Sequence, residues 1–272
     1  QRPFRTLLSI AGVALGVLAS VAIGTANVHV LRSFDQAVTT VAGRATLEIV
    51  GHDLGVDESV ITAIRAVEGV VSAALKEFGR IDVLVNNAGV GQDSVRADQR
   101  RNPIRLWEVP PEQWSRFLAV NATAPIMMAR AVVPHLIRAG WGRVITVTTS
   151  LGTMVRAGYL LYGSSKAAAE SAMAVLAADL EGTGVTSNVL VPGGVTNTPL
   201  VGNDAGDRSK MLQPEIMVPP LLWLVSREAD RVNARRFVAV DWDTKLPPAQ
   251  AAEKAGVPIA WLGIARMPIE PR

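Results

Sequence analysis

The 272-residue sequence contains no cysteine, so it can form neither a disulfide bond nor a thiolate zinc site. Its three histidines, His29, His52 and His135, lie far apart and do not have the spacing of metal ligands. The net charge is only +3, and no basic run with interleaved aromatic residues occurs. The sequence therefore predicts no metal site and no nucleic-acid partner.

Charged side chains are also missing from residues 6–31. This run is long enough to cross a bilayer as a helix, and Arg2 and Arg5 precede it. Gly12 and Gly16 have the spacing that lets membrane helices approach each other closely. We expect a long apolar helix here and favour membrane association, with a buried core helix as the alternative.

Residues 1–70 resemble the amino-terminal segment of an ABC-transporter permease of the lipoprotein-export and macrolide-export type. The matching patterns are RPFRTLLSIAGVALGV, LRSFDQAVTTVAGRATLEIVG and AIRAVEGVV. This resemblance implies a membrane helix that leads into a domain outside the cytoplasm. The character of the sequence changes after Val71, so we expect a chimera of two parts, residues 1–70 and residues 71–272.

Beyond residue 71, short apolar runs alternate with longer helical patterns. The pattern predicts strands at 81–85, 144–148, 187–191 and 237–240, and helices at 111–139, 160–181 and 214–226. Such alternation is typical of βαβ units, so we expect an α/β fold with a Rossmann-type parallel sheet and flanking helices. The tail after Asp243 is rich in proline and alanine and is expected to wrap the surface.

Polar or glycine-rich turns follow three of the predicted strands. Parallel strands deliver functional groups at their carboxyl ends, which meet at one edge of the sheet. Small residues in such turns let a ligand approach the backbone closely. The residues concerned are Asn86, Asn87, Ala88 and Gly89 after the first strand, Thr149 and Ser150 after the second, and Pro192, Gly193 and Val195 after the third.

Tyr162 and Lys166 begin a helical pattern and are separated by four residues, which places them on one face of the helix. A free phenol has a pKa near 10 and is a poor acid or base at neutral pH. A neighbouring ammonium group favours the phenolate and lowers this pKa. The pair is therefore a candidate for proton transfer to a carbonyl or from an alcohol.

With these motifs, residues 71–246 resemble the short-chain dehydrogenase/reductase family. The matching features are NNAG at 86–89, Asn121 in AVNATAP, the strand-end hydroxyls, YxxxK at 162–166 and the Pro-Gly turn at 192–193. The resemblance implies an enzyme that transfers hydride between NAD or NADP and a small carbonyl or alcohol substrate. It also implies that the helices bearing Asn121 and Tyr162 form a homo-oligomer interface in a cytoplasmic protein.

Roles for individual residues follow from the same resemblance. Tyr162 is the expected general acid/base, and Lys166 lowers its pKa and contacts the nicotinamide ribose. Asn121 holds a water in the proton relay. A strand-end hydroxyl orients the substrate: direct alignment on Tyr162 selects Thr149, while a shift of one residue selects Ser150, which we slightly favour.

The front of the chain departs from the family. The family's glycine-rich phosphate loop, TGxxxGxG, has one counterpart, at residues 11–18, with alanine for the threonine and leucine for the last glycine. We therefore expect a sheet that is incomplete at its amino-terminal end. The alternative function is a catalytically impaired, truncated or chimeric protein anchored in a membrane through residues 6–31.

Overall fold

The structure is a computed structural model, and it describes residues 56–261 and 263 with short stretches at 14–15, 20–21 and 50–51. The strands, in chain order, are β1 (Ala14–Leu15), β2 (Ser20–Val21), β3 (Val50–Gly51), β4 (Val83–Asn86), β5 (Gly142–Val147), β6 (Val185–Val191), β7 (Arg235–Val238) and β8 (Gly256–Pro258). The α-helices are α1 (Val56–Phe78), α2 (Pro111–Leu118), α3 (Ala124–Ala139), α4 (Leu151–Met154), α5 (Leu160–Asp179), α6 (Val218–Leu224) and α7 (Pro248–Ala255).

One sheet runs in the order β1-β4-β5-β6-β7-β8. Its strands pair in parallel from β1 to β7, and β8 adds to β7 in the antiparallel direction. Helices connect the successive parallel strands from β4 to β7. The predicted Rossmann-type α/β fold is therefore confirmed, and its carboxyl edge is where the turns after β4, β5 and β6 meet.

Alternate residues of the central strands pack on opposite faces of the sheet. Val144 and Val189 belong to a core cluster with residues of α1, α3 and α5. Their neighbours Ile145 and Leu190 belong to a second cluster with residues of α6 and α7. Because helices cover both faces, every residue of β6 is buried, including its polar residues Thr186, Ser187 and Asn188.

The amino-terminal expectations need correction. A helix continuous through residues 6–31 disagrees with the strands β1 and β2, which both lie inside that run. Ala14 pairs with Val83 and Leu15 with Leu84, so β4 has a parallel neighbour on both sides. A second pairing joins β2 to β3. The rest of this run, including Gly12 and Gly16 of the candidate phosphate loop, lies outside the described residues.

The predicted helix at 111–139 consists of α2, a π-helical turn at Ala119–Thr123 and α3. Within the described part of the chain, Pro111–Ala139 is the one stretch long and apolar enough to cross a membrane. Half of its most apolar window is buried, and Met128, Val132 and Leu136 of α3 belong to the core. It therefore packs as a core helix of the α/β fold.

The tail after Asp243 does more than wrap the surface, contrary to the sequence-based expectation. It forms α7, whose residues Ala251, Ala252 and Ala255 are buried, and then the edge strand β8. Ile259 is fully buried in the core beyond this strand. Small alanine side chains let α7 pack closely, a role that their composition alone did not reveal.

Candidate active site

A cavity of about 1070 Å³ opens at the carboxyl edge of the sheet. Turns after β4, β5 and β6 form its walls together with the beginning of α5. It is large enough for a drug-sized ligand and more. The predicted site residues that line it are Asn87, Ala88, Gly89, Thr149, Ser150, Tyr162, Lys166, Pro192, Gly193 and Val195.

Tyr162 lies in the first turn of α5 and is half-buried at the cavity wall. Burial raises the pKa of its phenol to about 12, and a hydrogen bond with the Thr149 side chain acts in the opposite direction. The phenol is therefore protonated at neutral pH in this geometry. Such a group is suited to donate a proton to a reacting oxygen in the cavity.

Lys166 lies one turn further along α5, and its side chain is buried at the same wall. Its Nζ donates a hydrogen bond of 3.0 Å to the carbonyl oxygen of Val147, the last residue of β5. Burial lowers the pKa of the ammonium to about 8. The pKa of Tyr162 is set by its burial and by Thr149, so a direct influence of Lys166 on the phenol stays a prediction.

The two candidate hydroxyls after β5 have different neighbours. The Thr149 side chain interacts with Tyr162. Ser150 caps the short helix α4, and its Oγ lies 2.7 Å from Oγ1 of Thr153. Both residues line the cavity, and Thr149 is the one whose side chain lowers the pKa of Tyr162, whereas the sequence slightly favoured Ser150.

Asn121 lies in the π-helical turn, fully buried behind the cavity wall and not in its lining. Its Oδ1 accepts a hydrogen bond of 2.9 Å from the amide of Val90, and its Nδ2 donates to the carbonyl oxygen of Val90 at 3.0 Å. Nδ2 also lies 3.0 Å from Oγ of Ser165 on α5. Asn121 thus connects the turn after β4 to the helix that bears Tyr162. Single π-helical turns inside helices often occur at functional sites.

Asn86, the other predicted residue outside the cavity lining, faces the interior of the fold. Its Nδ2 lies 3.1 Å from Oγ1 of Thr146 and 3.4 Å from the carbonyl oxygen of Pro125. These contacts tie β4 to β5 and to the start of α3. The neighbouring turn residues Asn87 to Gly89 reach the cavity instead.

Gly89 lies where three elements approach closely, with little room for a side chain. A Cβ atom at this position would lie 3.1 Å from Oδ1 of Asn121 and 3.2 Å from Nζ of Lys166. Gly193, in the turn after β6, has a φ of +94°, a conformation that glycine adopts without strain. The glycines therefore bring bare backbone to the cavity from two strand ends.

Two lining residues that the sequence did not single out hold the cavity's outer loops. Gln92 is buried, accepts a hydrogen bond of 3.3 Å from the amide of Tyr162 and donates to the carbonyl oxygen of Gly158. Arg208 donates to Asn197 Oδ1 at 3.1 Å and to the carbonyl oxygen of Val201 at 2.7 Å. No sequence signal marks these contacts, because each involves an irregular loop and a residue that the sequence pattern does not link to it.

The residues present fit the nicotinamide end of a dinucleotide. Glycine-bearing turns after β4 and β6 both line the cavity, and so does Lys166, whose ammonium has protons to donate beyond its bond to the Val147 carbonyl. A first strand, β1, runs parallel to β4. Residues 16–19, which follow β1, lie outside the described residues.

Comparisons with known proteins agree with this geometry. The model of the short chain dehydrogenase family matches residues 14–208, more than two thirds of the chain. A D-beta-hydroxybutyrate dehydrogenase of Cupriavidus necator is 28% identical over 204 residues, which cover 74% of this chain and 73% of the relative. The 3-oxoacyl-(acyl-carrier-protein) reductase FabG of Vibrio cholerae is 32% identical over 133 residues, which cover 49% of this chain. The chain spans 50% of the length of that relative.

A solved structure is similar as well. It is the 3-ketoacyl-(acyl-carrier-protein) reductase of Brucella melitensis complexed with NADH, with a TM-score of 0.56 and 26% identity. The likeness covers 73% of this chain and 78% of that protein.

The family match begins inside residues 1–70 and crosses residue 70 without a break, and no comparison supports a permease segment there. The expectation of a permease chimera is therefore wrong. The division into separately folded parts at residue 70 stays a prediction. With its fold, its strand-end turns and more than two thirds of its length matched, the chain belongs to the short-chain dehydrogenase family.

Proposed function

We propose that this protein is an NAD- or NADP-dependent oxidoreductase that interconverts a small carbonyl compound and the corresponding alcohol. The observation that carries the proposal is the convergence of Tyr162, Lys166 and Thr149 on one cavity at the carboxyl edge of the sheet. The family membership and the names of the relatives, a dehydrogenase and reductases, point to the same class of reaction.

The cofactor proposal rests on the glycine turns and on Lys166. A bound NAD(P)H would supply the hydride, and the related reductase of Brucella melitensis is described as a complex with NADH. Asn87 to Gly89 and Pro192 to Val195 would hold the nicotinamide end between them. The Lys166 ammonium donates one hydrogen bond to the Val147 carbonyl oxygen, and its other protons are available to bind a ribose hydroxyl.

Tyr162 is the proposed general acid for carbonyl reduction. Because burial raises its pKa to about 12, its proton is present at neutral pH and available to a developing alkoxide. Thr149 is the proposed hydroxyl that orients the substrate oxygen, because it lines the cavity with Tyr162 and its side chain lowers the pKa of the phenol. Ser150 is the second candidate for this role, one residue further from β5. Asn121 is proposed to act behind the wall, by holding the turn that contains Gly89.

The experiment is a measurement of NADH and NADPH binding, followed by turnover with a panel of small ketones and aldehydes. We expect saturable binding and a decrease in kcat of about 10² to 10⁴ in Tyr162→Phe, because phenylalanine has no proton to transfer. Tyr159→Phe is the matched control, since Tyr159 lines the same cavity but carries no proposed proton. Failure of the wild-type protein to bind either cofactor at millimolar concentration would refute the proposal.

The alternative of an impaired, membrane-anchored protein is not favoured by the comparisons, which match the family from residue 14 onward. Association into a homo-oligomer through the helices bearing Asn121 and Tyr162 stays a prediction. Sedimentation of the purified protein would test it, and a monomer at micromolar concentration would contradict it.

A further inference from the structure

Three polar side chains lie along one face of α5 at intervals of four residues. They are Tyr162, Lys166 and Glu170. Residues four apart lie above one another on a helix, so all three face the same neighbouring element. Lys166 and Glu170 are both buried, and Glu170 is completely inaccessible to solvent.

The element that they face is the carboxyl end of β5 and the two residues beyond it. Lys166 donates to the carbonyl oxygen of Val147. The next residue, Thr148, donates from Oγ1 to Oε2 of Glu170 at 2.6 Å. The residue after that, Thr149, lines the cavity together with Tyr162. Two successive residues of the chain, Val147 and Thr148, are thus held by two successive turns of the helix, and Thr149 follows them at the cavity wall.

Arg236 of β7 contacts both Glu170 and Thr149. Its Nη1 lies 2.8 Å from Oε2 of Glu170, and its Nη2 donates to the carbonyl oxygen of Thr149. Arg236 is 3% exposed and Glu170 is 0% exposed, so neither charge is solvated. A buried ion pair of this kind often adds little stability compared with apolar residues of similar size. The position of this pair, in contact with the turn that contains Thr149, is what connects it to the cavity.

We propose that Arg236, held by Glu170, is a positioning residue that fixes the Thr149 backbone so that the Thr149 side chain meets Tyr162. The inference rests on the proposed function and extends it from the cavity wall to a residue on β7. The planar guanidinium is suited to this task because it reaches a carboxylate and a carbonyl oxygen at once. A lysine at this position has one ammonium at the end of a flexible chain and cannot span both acceptors in the same way.

The carboxyl-terminal segment closes the network. The amide of Ala260, beyond β8, donates a hydrogen bond of 3.1 Å to Oε1 of Glu170. Both carboxylate oxygens of Glu170 are therefore occupied, one by Ala260 and the other by Thr148 and Arg236. This leaves the carboxylate a single orientation, which fixes Arg236 in turn.

The first test is the substitution Arg236→Lys, which retains the charge opposite Glu170 and loses the contact with the Thr149 carbonyl. We expect kcat to fall by about tenfold or more, because a small displacement of a catalytic group is enough for such a loss. The dissociation constant of NADPH should remain close to the wild-type value. The matched control is Arg235→Lys on the same strand, where the side chain donates to the Gly256 carbonyl.

A second variant covers the case in which Arg236→Lys does not fold. The double substitution Glu170→Leu with Arg236→Met removes both buried charges together, so no unpaired ion is left inside. We expect this protein to fold and to show the same selective loss of kcat. A purely structural role predicts that either folded variant keeps the wild-type kcat.

A spectroscopic measurement tests the geometry without turnover. The chain has only two tyrosines, Tyr159 and Tyr162, so Tyr159→Phe leaves one phenol to observe. In this background, with ¹³C-labelled tyrosine, Arg236→Lys should shift the Tyr162 ring-carbon resonance, and Arg235→Lys should leave it in place.

The outcomes are separable. An unchanged kcat together with an unchanged Tyr162 resonance in a folded Arg236 variant would overturn the positioning role and leave the proposed function intact. A wild-type protein without turnover would refute the proposed function, while the resonance would still decide whether Arg236 orders the site.

Discussion

Two buried arginines occupy opposite edges of the same sheet. Arg143, near the start of β5, is 1% exposed and pairs with Asp230, whose side chain is 45% exposed. It also donates to the carbonyl oxygens of Leu224 and Ser226, at 3.2 and 3.3 Å. Arg236, near the carboxyl edge, pairs with a carboxylate that is completely buried, and contacts the turn beside Tyr162.

The two guanidinium groups differ in the segments of the chain that they contact. Arg143 joins β5 to the chain after α6, and it stacks 4.3 Å above the ring of Trp141. Burial lowers its pKa below the ordinary value, and the hydrogen bond with Asp230 opposes this shift. None of these contacts reaches the cavity. Equal burial therefore indicates a functional role only when the partners of the buried charge belong to the site.

The largest effect in this comparison is expected from Arg143→Met. The substitution removes the donor to three backbone carbonyl oxygens, those of Gly142, Leu224 and Ser226, so the free energy of unfolding should fall by about 2–3 kcal/mol. The kcat of the folded enzyme should remain at the wild-type level. Urea denaturation and steady-state kinetics at a temperature below the transition measure both quantities.

The control for this prediction is Arg227→Met. Arg227 also lies near Asp230, at 3.9 Å, but its side chain is 64% exposed, so its ion pair is screened by solvent. We expect a change of less than about 0.5 kcal/mol. A loss of kcat in Arg143→Met without a loss of stability would break the contrast between the two edges.

The next largest effect concerns the buried ammonium at the carboxyl edge. Burial lowers the pKa of Lys166 to about 8, whereas the unfolded chain keeps a value near 10.5. Between these values the unfolded state binds more protons, so the free energy of unfolding rises with pH. The contribution of Lys166 to this rise is about 2 kcal/mol between pH 8 and pH 10.

The rise of stability with pH is opposed at higher pH by Tyr162, and the variant Lys166→Met serves as the control. Burial raises the pKa of Tyr162 from 10.0 to about 12, so the folded state binds more protons in that interval and stability falls with pH there. Lys166→Met should lack the rise between pH 8 and pH 10 in denaturant titrations. An identical profile in this variant would show that the ammonium is not desolvated in the folded protein.

The smallest effect is expected from Ser165→Ala, which removes the hydroxyl between Asn121 and α5. Ser165 is fully buried, and its Oγ also donates to the Tyr162 carbonyl at 3.0 Å. We expect a loss of about 1 kcal/mol of stability, because Nδ2 of Asn121 keeps its bond to Val90.

The control is Ser164→Ala at the neighbouring position, because Ser164 is only half-buried and alanine has a higher helix propensity than serine. Thermal unfolding of the two variants gives the comparison. Equal transition temperatures would show that the Ser165 hydroxyl does not contribute.

The central fold and the catalytic helix were predictable from sequence. Apolar runs at 144–148 and 187–191 predict strands β5 and β6, because helices cover both faces of a parallel sheet. The pair Tyr162 and Lys166 was predictable because spacing along one helix is a local property. The cavity walls followed from the rule that parallel strands present their carboxyl ends at one edge.

Features that depend on contacts between distant segments were not predictable. The run around Ala14 and Ser20 has the composition of an apolar helix, yet β1 pairs with a strand nearly seventy residues away in the chain. No sequence pattern links Arg236 of β7 to Glu170 or to Thr149. Asn121 was identified by resemblance, but its partners, Val90 and Ser165, emerge only when the π-helical turn is placed against α5.

The antiparallel strand β8 has a consequence for how the protein is made. During synthesis the chain from β4 to β7 emerges first, with the free edge of β7 and one oxygen of Glu170 still without their partners. Only when residues 256–260 have left the ribosome does the sheet acquire its last strand and the carboxylate its amide. The network behind the proton-transfer side of the cavity is therefore completed only after residues 256–260, which follow β7 in the chain, have been translated.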